Sequence, residues 1–589
     1  MISGLTHRSY LPLFLSPLFV IILLPLGPFF RSPQQPKPEP KPLAHFTDVA
    51  QRAGLGAPIV FGGVNTKKYI IETTGTGVAV FDYDNDGWPD IFVVNGTSLD
   101  AAPANAPTSH LYHNNHDGTF TDVTRKAGLT HTGWGQGVCV GDYDNDGWED
   151  LYVTYYGKNV LYHNNGDGTF SDVSEKTGVA GSGSAWGNGC AFLDYDRDGR
   201  PDLFISNYVD FNLAAAPKPG DNAGCMWKGA PVMCGPRGLP AAKNILYHNR
   251  GDGTFEDVTT KAHIDKTDGH YALSVSTLDY DNDGWPDIFV ACDSTASILY
   301  HNNRDGTFTD VAVVAGAAFN EDGRAQAGMG STVADYNGDG NLDIFKTNFS
   351  DDTATLYRNN GNGTFDDVTF PAGLGLNTKY LGWGTMFFDF DNDGWPDLLL
   401  VNGHVYPEVD SQHLGSTFQE PRILYHNNSN GTFTDISANA GPGITTPASS
   451  RGLAVADLWN SGQLSAIISN MNAAPSLLVN DIHNENHWIA FHLIGTSYGI
   501  ASQKLRTSRE ALGARITMKA GSRIFVDEVR SGSSYDSNSD MRVHFGLGSL
   551  TKLDSIEVRW PSGLVEHFDH LSVDKIHTLK EGSGTAKTS

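Results

Sequence analysis

A ten-residue stretch rich in aspartate recurs along this chain of 589 residues. Its first copy, FDYDNDGWPD, contains a nine-residue motif with aspartates at positions 1, 3, 5 and 9 and a glycine at position 6. Carboxylates crowded in this way repel one another unless a cation lies between them. Calcium takes about six to eight oxygen ligands in flexible geometry, and the glycine permits the sharp turn that gathers them. The motif therefore predicts a metal-binding loop.

Six copies of the motif keep the pattern and provide the candidate ligands of a divalent cation. They are Asp82, Asp84, Asp86 and Asp90; Asp142, Asp144, Asp146 and Asp150; Asp194, Asp196, Asp198 and Asp202; Asp279, Asp281, Asp283 and Asp287; Asp335, Asn337, Asp339 and Asp343; and Asp389, Asp391, Asp393 and Asp397. Calcium is favoured over magnesium, because magnesium keeps more of its water and takes fewer carboxylates. The sequence therefore predicts about six Ca²⁺ sites.

A seventh copy of the motif starts at Asp457 but has lost its other acids. Trp459, Ser461 and Ser465 stand at positions 3, 5 and 9, so we expect no metal there. No histidine, glutamate or cysteine accompanies the motifs at a regular spacing, which gives the loops no sign of catalytic chemistry. We expect each cation to stabilise its turn rather than to bridge a ligand.

The elements that must position these loops repeat with them. An apolar strand such as GVAVF leads into the loop, and IFVVN leads out of it. A second motif, LYHNN-DGTFTDV, supplies a third and a fourth strand around a D-G turn. Four-stranded units in a sevenfold series are typical of a β-propeller. We therefore predict an all-β chain with a seven-bladed β-propeller over residues 44–481.

The two ends of the series indicate how the ring closes. The strand pattern F-[TSED]-D-[VI] starts at Phe46, Phe120, Phe170, Phe255, Phe308, Phe365 and Phe433. Its first copy precedes the first acidic loop, and the seventh unit ends at SLLVND without a copy of its own. We expect residues 45–49 to complete the seventh blade, because that pairing removes an open sheet edge.

The excess of acid belongs to the loops rather than to the whole surface. The formal net charge is −27, and the six motifs account for most of it. A protein with this charge and without a basic patch is not expected to bind nucleic acid.

Residues 1–31 are interpreted as an export signal or an N-terminal membrane anchor. The uncharged run 10–30 is long enough to cross a bilayer core, although prolines weaken it as a helix. The Pro-rich stretch 32–43 is typical of a stiff linker. We expect an exported protein that is secreted, periplasmic or at the cell surface.

The five cysteines divide into a pair and three single residues. Cys225 and Cys234 lie close together in an irregular insertion, and in an exported protein we expect them to form a disulfide. Cys139, Cys190 and Cys292 lie in or at the ends of apolar strands. There we expect small buried side chains rather than reactive thiols.

Two irregular segments, 208–243 and 402–421, interrupt the repeat on the face opposite the acidic loops. Loop excursions on a rigid scaffold are the usual binding elements. These two segments contain the candidate ligand-binding residues His404, Tyr406, Trp227 and Arg237. On the same face, asparagines that end the outgoing strands either cap a turn or present amides to a ligand. They are Asn95, Asn207, Asn348, Asn402 and Asn470.

After residue 481 the repeat stops, and residues 484–580 predict a small β-sandwich-like domain followed by a disordered tail at 581–589. The D-x-D-x-D-G-x-x-D units resemble the FG-GAP/VCBS repeats of integrin α-subunit propellers. HWIAFHLIG, GARI, HFGLG and VRWPSG resemble the ASPIC/UnbV domain. Together they resemble the cartilage acidic protein family and its bacterial relatives. That resemblance implies calcium in the loops and an extracellular or periplasmic setting, without an established enzymatic reaction.

Three functions remain open from the sequence. The preferred hypothesis is a non-enzymatic, calcium-stabilised module for adhesion or ligand recognition, with a glycan or an extracellular protein as its partner. One alternative is an extracellular lyase or hydrolase acting on polysaccharide, which rests on fold analogy alone. The other is a scaffold in an envelope complex. The aspartates are already assigned to metal, which leaves no clear catalytic acid–base pair.

Overall fold

The computed structural model describes residues 9, 11–12, 42–101, 106–181, 185–267, 269–498 and 504–587. The chain divides into two units, Met1–Lys41 and Pro42–Ser589. Most of the first unit, with the predicted signal or anchor and most of the Pro-rich linker, lies outside the described residues. In the part of the chain that is described, no helix has the length and apolar character needed to cross a membrane.

Short strands make up most of the second unit. Up to residue 480 they are β1 (Phe46–Asp48), β2 (Val78–Phe81), β3 (Asp90–Val93), β4 (His110–Asn114), β5 (Phe120–Asp122), β6 (Gly135–Gly141), β7 (Asp150–Tyr155), β8 (Val160–Asn164), β9 (Phe170–Asp172), β10 (Gly187–Leu193), β11 (Asp202–Asn207), β12 (Met226–Trp227), β13 (Ala230–Pro231), β14 (Ile245–Asn249), β15 (Phe255–Asp257), β16 (Ala272–Leu278), β17 (Asp287–Cys292), β18 (Ile298–Asn302), β19 (Phe308–Asp310), β20 (Ser331–Ala334), β21 (Asp343–Lys346), β22 (Thr355–Asn359), β23 (Phe365–Asp367), β24 (Gly382–Phe388), β25 (Asp397–Asn402), β26 (Ile423–Asn427), β27 (Phe433–Asp435), β28 (Ser450–Ala456), β29 (Ser465–Asn470) and β30 (Ser476–Asn480). Inner strands such as β7 are buried throughout, whereas outer strands such as β9 bury only their first residue.

Within the described residues these strands form seven four-stranded antiparallel sheets and the small hairpin β12–β13. Six sheets take their strands in chain order: β2-β3-β4-β5, β6-β7-β8-β9, β10-β11-β14-β15, β16-β17-β18-β19, β20-β21-β22-β23 and β24-β25-β26-β27. The seventh sheet has the order β1-β30-β29-β28. The prediction of an all-β chain built from repeated four-stranded sheets is confirmed.

The seventh sheet joins the start of the repeats to their end. Phe46 of β1 lies opposite Asn480 of β30 in antiparallel register, as the count of outer strands predicts. The first strands of the sheets contact their neighbours in turn along β2, β6, β10, β16, β20, β24 and β28, and β28 contacts β2. The sheets therefore form a closed, propeller-like ring, with these seven strands nearest the axis.

Very short helices connect the sheets. The α-helices are α1 (Ala50–Ala53), α2 (Ser174–Thr177), α3 (Ala312–Ala315), α4 (Glu408–Ser411) and α5 (Pro442–Thr445), and single turns of 3₁₀-helix lie at Ile70–Glu72, Ala223–Cys225, Ile264–Thr267 and Ser437–Asn439. Helix α1 ends at Gly54, which has a φ of 94°. A Cβ on Gly54 would meet the carbonyl oxygen of Phe120 at 2.5 Å, so the glycine allows the helix to pack against the next sheet.

Residues 487–498 and 504–587 form the described part of the C-terminal domain. Its strands are β31 (His487–Ile494), β32 (Arg515–Ala520), β33 (Arg523–Glu528), β34 (Val543–Gly548), β35 (Ser555–Arg559), β36 (Val565–Phe568), β37 (Lys575–Lys580) and β38 (Thr585–Ala586). They form the sheets β34-β31-β37 and β33-β32-β35-β36-β38. The expectation of a disordered tail at 581–589 is wrong for residues 581–587, where β38 pairs with β36, and residues 588–589 lie outside the described part.

The C-terminal domain shares a core with the ring. Apolar side chains of its strands, such as Phe491 and Ile516, pack in one buried cluster with Tyr152 of β7 and Phe192 of β10. The domain is therefore seated on the ring rather than tethered beside it.

A loop of the C-terminal domain enters the ring. This channel loop, residues 529–542, joins β33 to β34 and makes bridge pairings with the inner strands, Asn538 with Ala79 and Ser534 with Ser331. Tyr535 near its tip is fully buried, and its ring lies edge-on to Trp383 with 4.8 Å between the ring centroids. The channel loop therefore fills part of the space around the axis.

Candidate metal centres

The first acidic loop, residues 82–90, shows how the carboxylates are held. It runs from the end of β2 to the start of β3. Its first carboxylate, Asp82, accepts hydrogen bonds from the backbone N–H groups of Asp86 at 3.0 Å and Gly87 at 2.8 Å. The backbone of the loop therefore fixes the side chain at position 1.

The same two bonds recur at position 1 of every other copy of the motif. The accepting residues are Asp142, Asp194, Asp279, Asp335, Asp389 and Asp457. This turn needs left-handed backbone at positions 4 and 6, where Asn85 has a φ of 56° and Gly87 a φ of 89°. Asparagine and glycine adopt that conformation at the lowest cost, which explains their recurrence.

Position 9 ties each loop to the third strand of its sheet. Asp90 is fully buried and accepts hydrogen bonds from the backbone N–H groups of Asn114 at 2.8 Å and Tyr83 at 3.2 Å. The bond to the third strand recurs at Asp150, Asp202, Asp287, Asp343 and Asp397. The acid at position 9 therefore has a fixed place beside the loop.

A histidine from the third strand lies beside five of the loops. The Nδ1 atom of His113 is 3.4 Å from Asp84 and 3.3 Å from Asp90. The equivalent residues are His163, His248, His301 and His426. In each of these five loops, one ligand atom of the histidine and one from each of the acids at positions 3 and 5 lie within 4.8 Å of one another. That spacing is close enough for a single metal ion.

The strand residue changes together with position 3 of the loop. Where position 3 is Asn337 the strand carries Arg358, and where it is Trp459 the strand carries Val479. Along the chain the histidines keep no regular spacing from the acidic motifs, as the sequence indicated, but the fold still brings one beside each of five loops. The histidine belongs to the second repeated motif, LYHNN, whose distance from the acidic motif differs between repeats.

Burial makes these carboxylates hard to ionise without a cation. It raises the pKa of Asp90 and of Asp150 to about 7, and that of Asp287 to about 8. The neighbouring Asp90 carboxylate, 3.3 Å away, raises the pKa of His113. A divalent cation among the carboxylates removes the penalty of ionising them. The donor set therefore fits a hard cation, with an imidazole beside it in five loops.

Comparison with protein families identifies both parts of the chain. Residues 82–153, 142–205, 237–290, 279–346 and 335–400 each match the FG-GAP-like repeat. Residues 504–586 match the ASPIC and UnbV family. The chain is an FG-GAP-repeat protein with a C-terminal ASPIC and UnbV domain. The resemblance seen in the sequence is thereby confirmed.

This FG-GAP-repeat protein is similar to cartilage acidic protein 1 of several vertebrates. The human protein is 25% identical over 517 residues, which cover 83% of this chain and 69% of the human protein. The Xenopus tropicalis protein is 25% identical over 524 residues, covering 83% of this chain and 70% of that protein. A solved structure, the BP39L lectin of Burkholderia pseudomallei, is 11% identical with a TM-score of 0.40, covering 70% of this chain and 98% of the lectin. So distant a likeness carries no argument about ligands.

Three of the four predicted ligand residues of the FG-GAP ring, Trp227, His404 and Tyr406, pack against one another on the face opposite the loops. The Trp227 ring lies 6.1 Å from that of His404 and 6.0 Å from that of Tyr406, between centroids. His404 is 0% exposed, and burial lowers its pKa to about 3. His404 and the buried Tyr406 therefore present no surface to an external ligand. Trp227 is half-buried and Arg237 is exposed, so these two remain accessible.

The asparagines that end the outgoing strands of the FG-GAP units hold neighbouring backbone. Each is buried and donates from Nδ2 to a carbonyl oxygen. The pairs are Asn95 with Pro58, Asn207 with Lys243, Asn348 with Thr353, Asn402 with Pro421, and Asn470 with Ala474. Of the two roles open from the sequence, the structure therefore shows the capping one.

Two disulfides are present among the described residues of the FG-GAP-repeat protein. The predicted pair Cys225–Cys234 is bonded. The expectation that Cys139 and Cys190 are single buried residues is wrong, because they are bonded to each other across the neighbouring inner strands β6 and β10. Cys292 is a buried free thiol, as expected.

Proposed function

We propose that this FG-GAP-repeat protein is an exported, non-enzymatic recognition module whose loops bind calcium and whose ligand is a glycan or an extracellular protein. The observation that supports calcium binding most strongly is the recurrence of one loop geometry six times. In each copy the position-1 acid is held by the loop's own backbone and the position-9 acid by the third strand, with the other acidic positions facing them. A calcium ion cancels their mutual repulsion and stabilises the turn.

Export is supported by the two disulfides, because the cytosol keeps most thiols reduced. Cys225–Cys234 closes a short loop in the insertion, and Cys139–Cys190 links two sheets of the ring. The membrane anchor in the first unit stays a prediction.

An external ligand is expected at the face opposite the loops, because the C-terminal domain contacts the loop face. There Trp227 offers part of an aromatic face, Met226 is 40% exposed, and Arg237 is an exposed donor. Aromatic rings that stack on sugar faces, together with nearby hydrogen-bond donors, suit a glycan. We expect Arg237→Ala, which removes an exposed donor, to weaken binding on a glycan array while leaving the melting temperature nearly unchanged. Trp227→Ala should abolish binding but also lower the melting temperature, because its ring packs against those of His404 and Tyr406. An array without any bound glycan would shift the proposal to a protein ligand.

Metal content tests the calcium part directly. After equilibration with calcium and removal of free ions, mass spectrometry of bound metal should give about six calcium ions per chain. Asp144→Asn is expected to lower the count by about one, since a neutral side chain replaces a ligand at position 3. Asp457→Asn is the matched control and should leave the count unchanged. Fewer than about five ions in the parent protein would contradict the proposal.

A further inference from the structure

The C-terminal domain holds the acidic loops by their backbone. Arg523 donates from Nη1 to the carbonyl oxygen of Asp393 at 3.0 Å, and from Nη2 to that of Gly394. Its guanidinium also lies over the Trp395 ring, 4.2 Å from the centroid. This one side chain therefore binds the backbone carbonyls of positions 5 and 6 in the loop 389–397.

Two further arginines of the C-terminal domain donate hydrogen bonds to backbone carbonyls of neighbouring acidic loops. Arg515 donates to the carbonyl oxygen of Gly340 at 2.8 Å, and Arg559 donates to that of Asn282 at 3.1 Å. Gly340 is position 6 of its loop and Asn282 is position 4. Arg559 also donates from Nη2 to the carboxylate of Asp279, the position-1 acid of its loop. The backbone acceptors of the arginines are turn carbonyls between the metal-ligating acids, and their directions depend on the conformation of each loop.

The channel loop provides the second set of contacts by which the C-terminal domain docks on the ring. It bonds to inner strands of several sheets through main-chain groups: Val80 N–H to the Asn538 carbonyl at 3.0 Å, Val138 N–H to that of Asp536 at 3.0 Å, and Ser331 N–H to that of Ser534 at 3.2 Å. The inner strands have no neighbour on this side within their own sheets, so the channel loop satisfies part of their open edges. Seating the domain and filling the channel are therefore one event.

We propose that cation binding by the acidic loops and seating of the C-terminal domain, with its channel loop inside the ring, stabilise each other. A loaded loop holds its turn carbonyls toward the arginines. A loop without its cation relaxes to separate its carboxylates, and the arginines then lose their acceptors. By linkage the seated domain must in turn raise the cation affinity of the loops that it grips. This inference rests on the proposed function, because it requires that the loops bind a cation.

The chain contains its own matched control. In the described part of the molecule, no hydrogen bond joins the loop 82–90 to the C-terminal domain. That loop bonds instead to groups of neighbouring ring loops, with Glu149 accepting from Asp82 N–H and Gly87 accepting from Asn460. Asp393→Asn removes the position-5 ligand from a loop that is hydrogen-bonded to the C-terminal domain. Asp86→Asn removes the same ligand from the loop 82–90, which is not.

Hydrogen exchange of the full-length chain measures the coupling at residues 529–542. Replacing calcium by a chelator should speed exchange in this segment at least about tenfold, because each bond from a charged donor to a lost acceptor is worth about a factor of ten or more. In calcium, Asp393→Asn should speed exchange there and Asp86→Asn should not. In chelator, both variants should match the parent chain.

Three results would overturn the coupling. The first is a chain that binds its ions by mass spectrometry but exchanges the channel loop equally with and without calcium, which leaves the calcium proposal intact. The second is a chain that binds no divalent ion, which removes both proposals. The third is faster exchange of Asp393→Asn even in chelator, since that effect would come from the changed charge beside Arg523.

If Asp393→Asn does not fold, Arg523→Met replaces it and should weaken calcium binding at one site about tenfold.

Discussion

The aspartates of the acidic loops should make the stability of the protein depend on pH and calcium together. In the absence of a cation, burial raises the pKa of Asp90 and Asp150 to about 7, whereas in an unfolded chain an aspartate titrates near about 4. The folded chain therefore holds protons that the unfolded chain releases, and its stability falls as pH rises between these values. In chelator we expect the melting temperature to be lower at pH 8 than at pH 5. Calcium should remove or reverse that difference, which scanning calorimetry can check. Equal melting of the chelated protein at both pH values would contradict the raised pKa values.

At this scale the sequence could predict the acids but not their partners. Positions 1 to 9 are contiguous, so spacing alone places the carboxylates of Asp82 and Asp86 in one turn. The histidine arrives from another strand, and His113 and His248 are separated from their loops by different lengths of chain. One signal in the sequence could have indicated the histidine. The repeat that has Asn337 instead of aspartate at position 3 also has Arg358 instead of the strand histidine, which suggests that the two positions are neighbours.

Among the elements, the channel loop is expected to carry an unusual share of the stability. Tyr535 is 0% exposed and packs edge-on against Trp383. Removing such a ring from a packed core costs about 3–5 kcal/mol. We expect Tyr535→Ala to lower the free energy of unfolding by that amount in calcium, measured by chemical denaturation. Tyr535→Phe, which keeps the ring, should cost about 1 kcal/mol or less. Equal losses in the two variants would mean that the hydroxyl, rather than the packing, holds the loop.

The strands were predictable because each is short, local and followed by a D-G or N-G turn. The channel loop was not, since GSSYDSNSD is a polar sequence typical of an exposed turn. Its backbone is buried because the inner strands of the ring leave their edges open, and that demand exists only in the assembled molecule. The Cys139–Cys190 disulfide was also not predicted, because it joins two different sheets that become neighbours only in the assembled ring.

For the whole molecule, the closure of the ring depends on one three-residue strand. Phe46 of β1 is 0% exposed and lies near Phe388 and Phe390, with 6.4 Å and 6.0 Å between ring centroids. Phe120 occupies the equivalent place in the outer strand β5 and is 5% exposed. Truncating either ring to alanine should cost about 3–5 kcal/mol. The two variants therefore remove similar packing, but from different positions in the ring.

The consequence for the ring should differ between them. Strand β5 is linked to β4 by a tight turn, so its sheet remains connected when Phe120 is truncated. Strand β1 reaches β30 only through space, so Phe46→Ala should unpair the ends of the ring. We expect hydrogen exchange to accelerate at both 46–48 and 476–480 in Phe46→Ala, and at neither segment in Phe120→Ala. Unchanged exchange at 476–480 in Phe46→Ala would show that the ring does not depend on this strand for its closure. The same experiment in chelator should magnify the effect, because the acidic loops then no longer stiffen the remaining sheets.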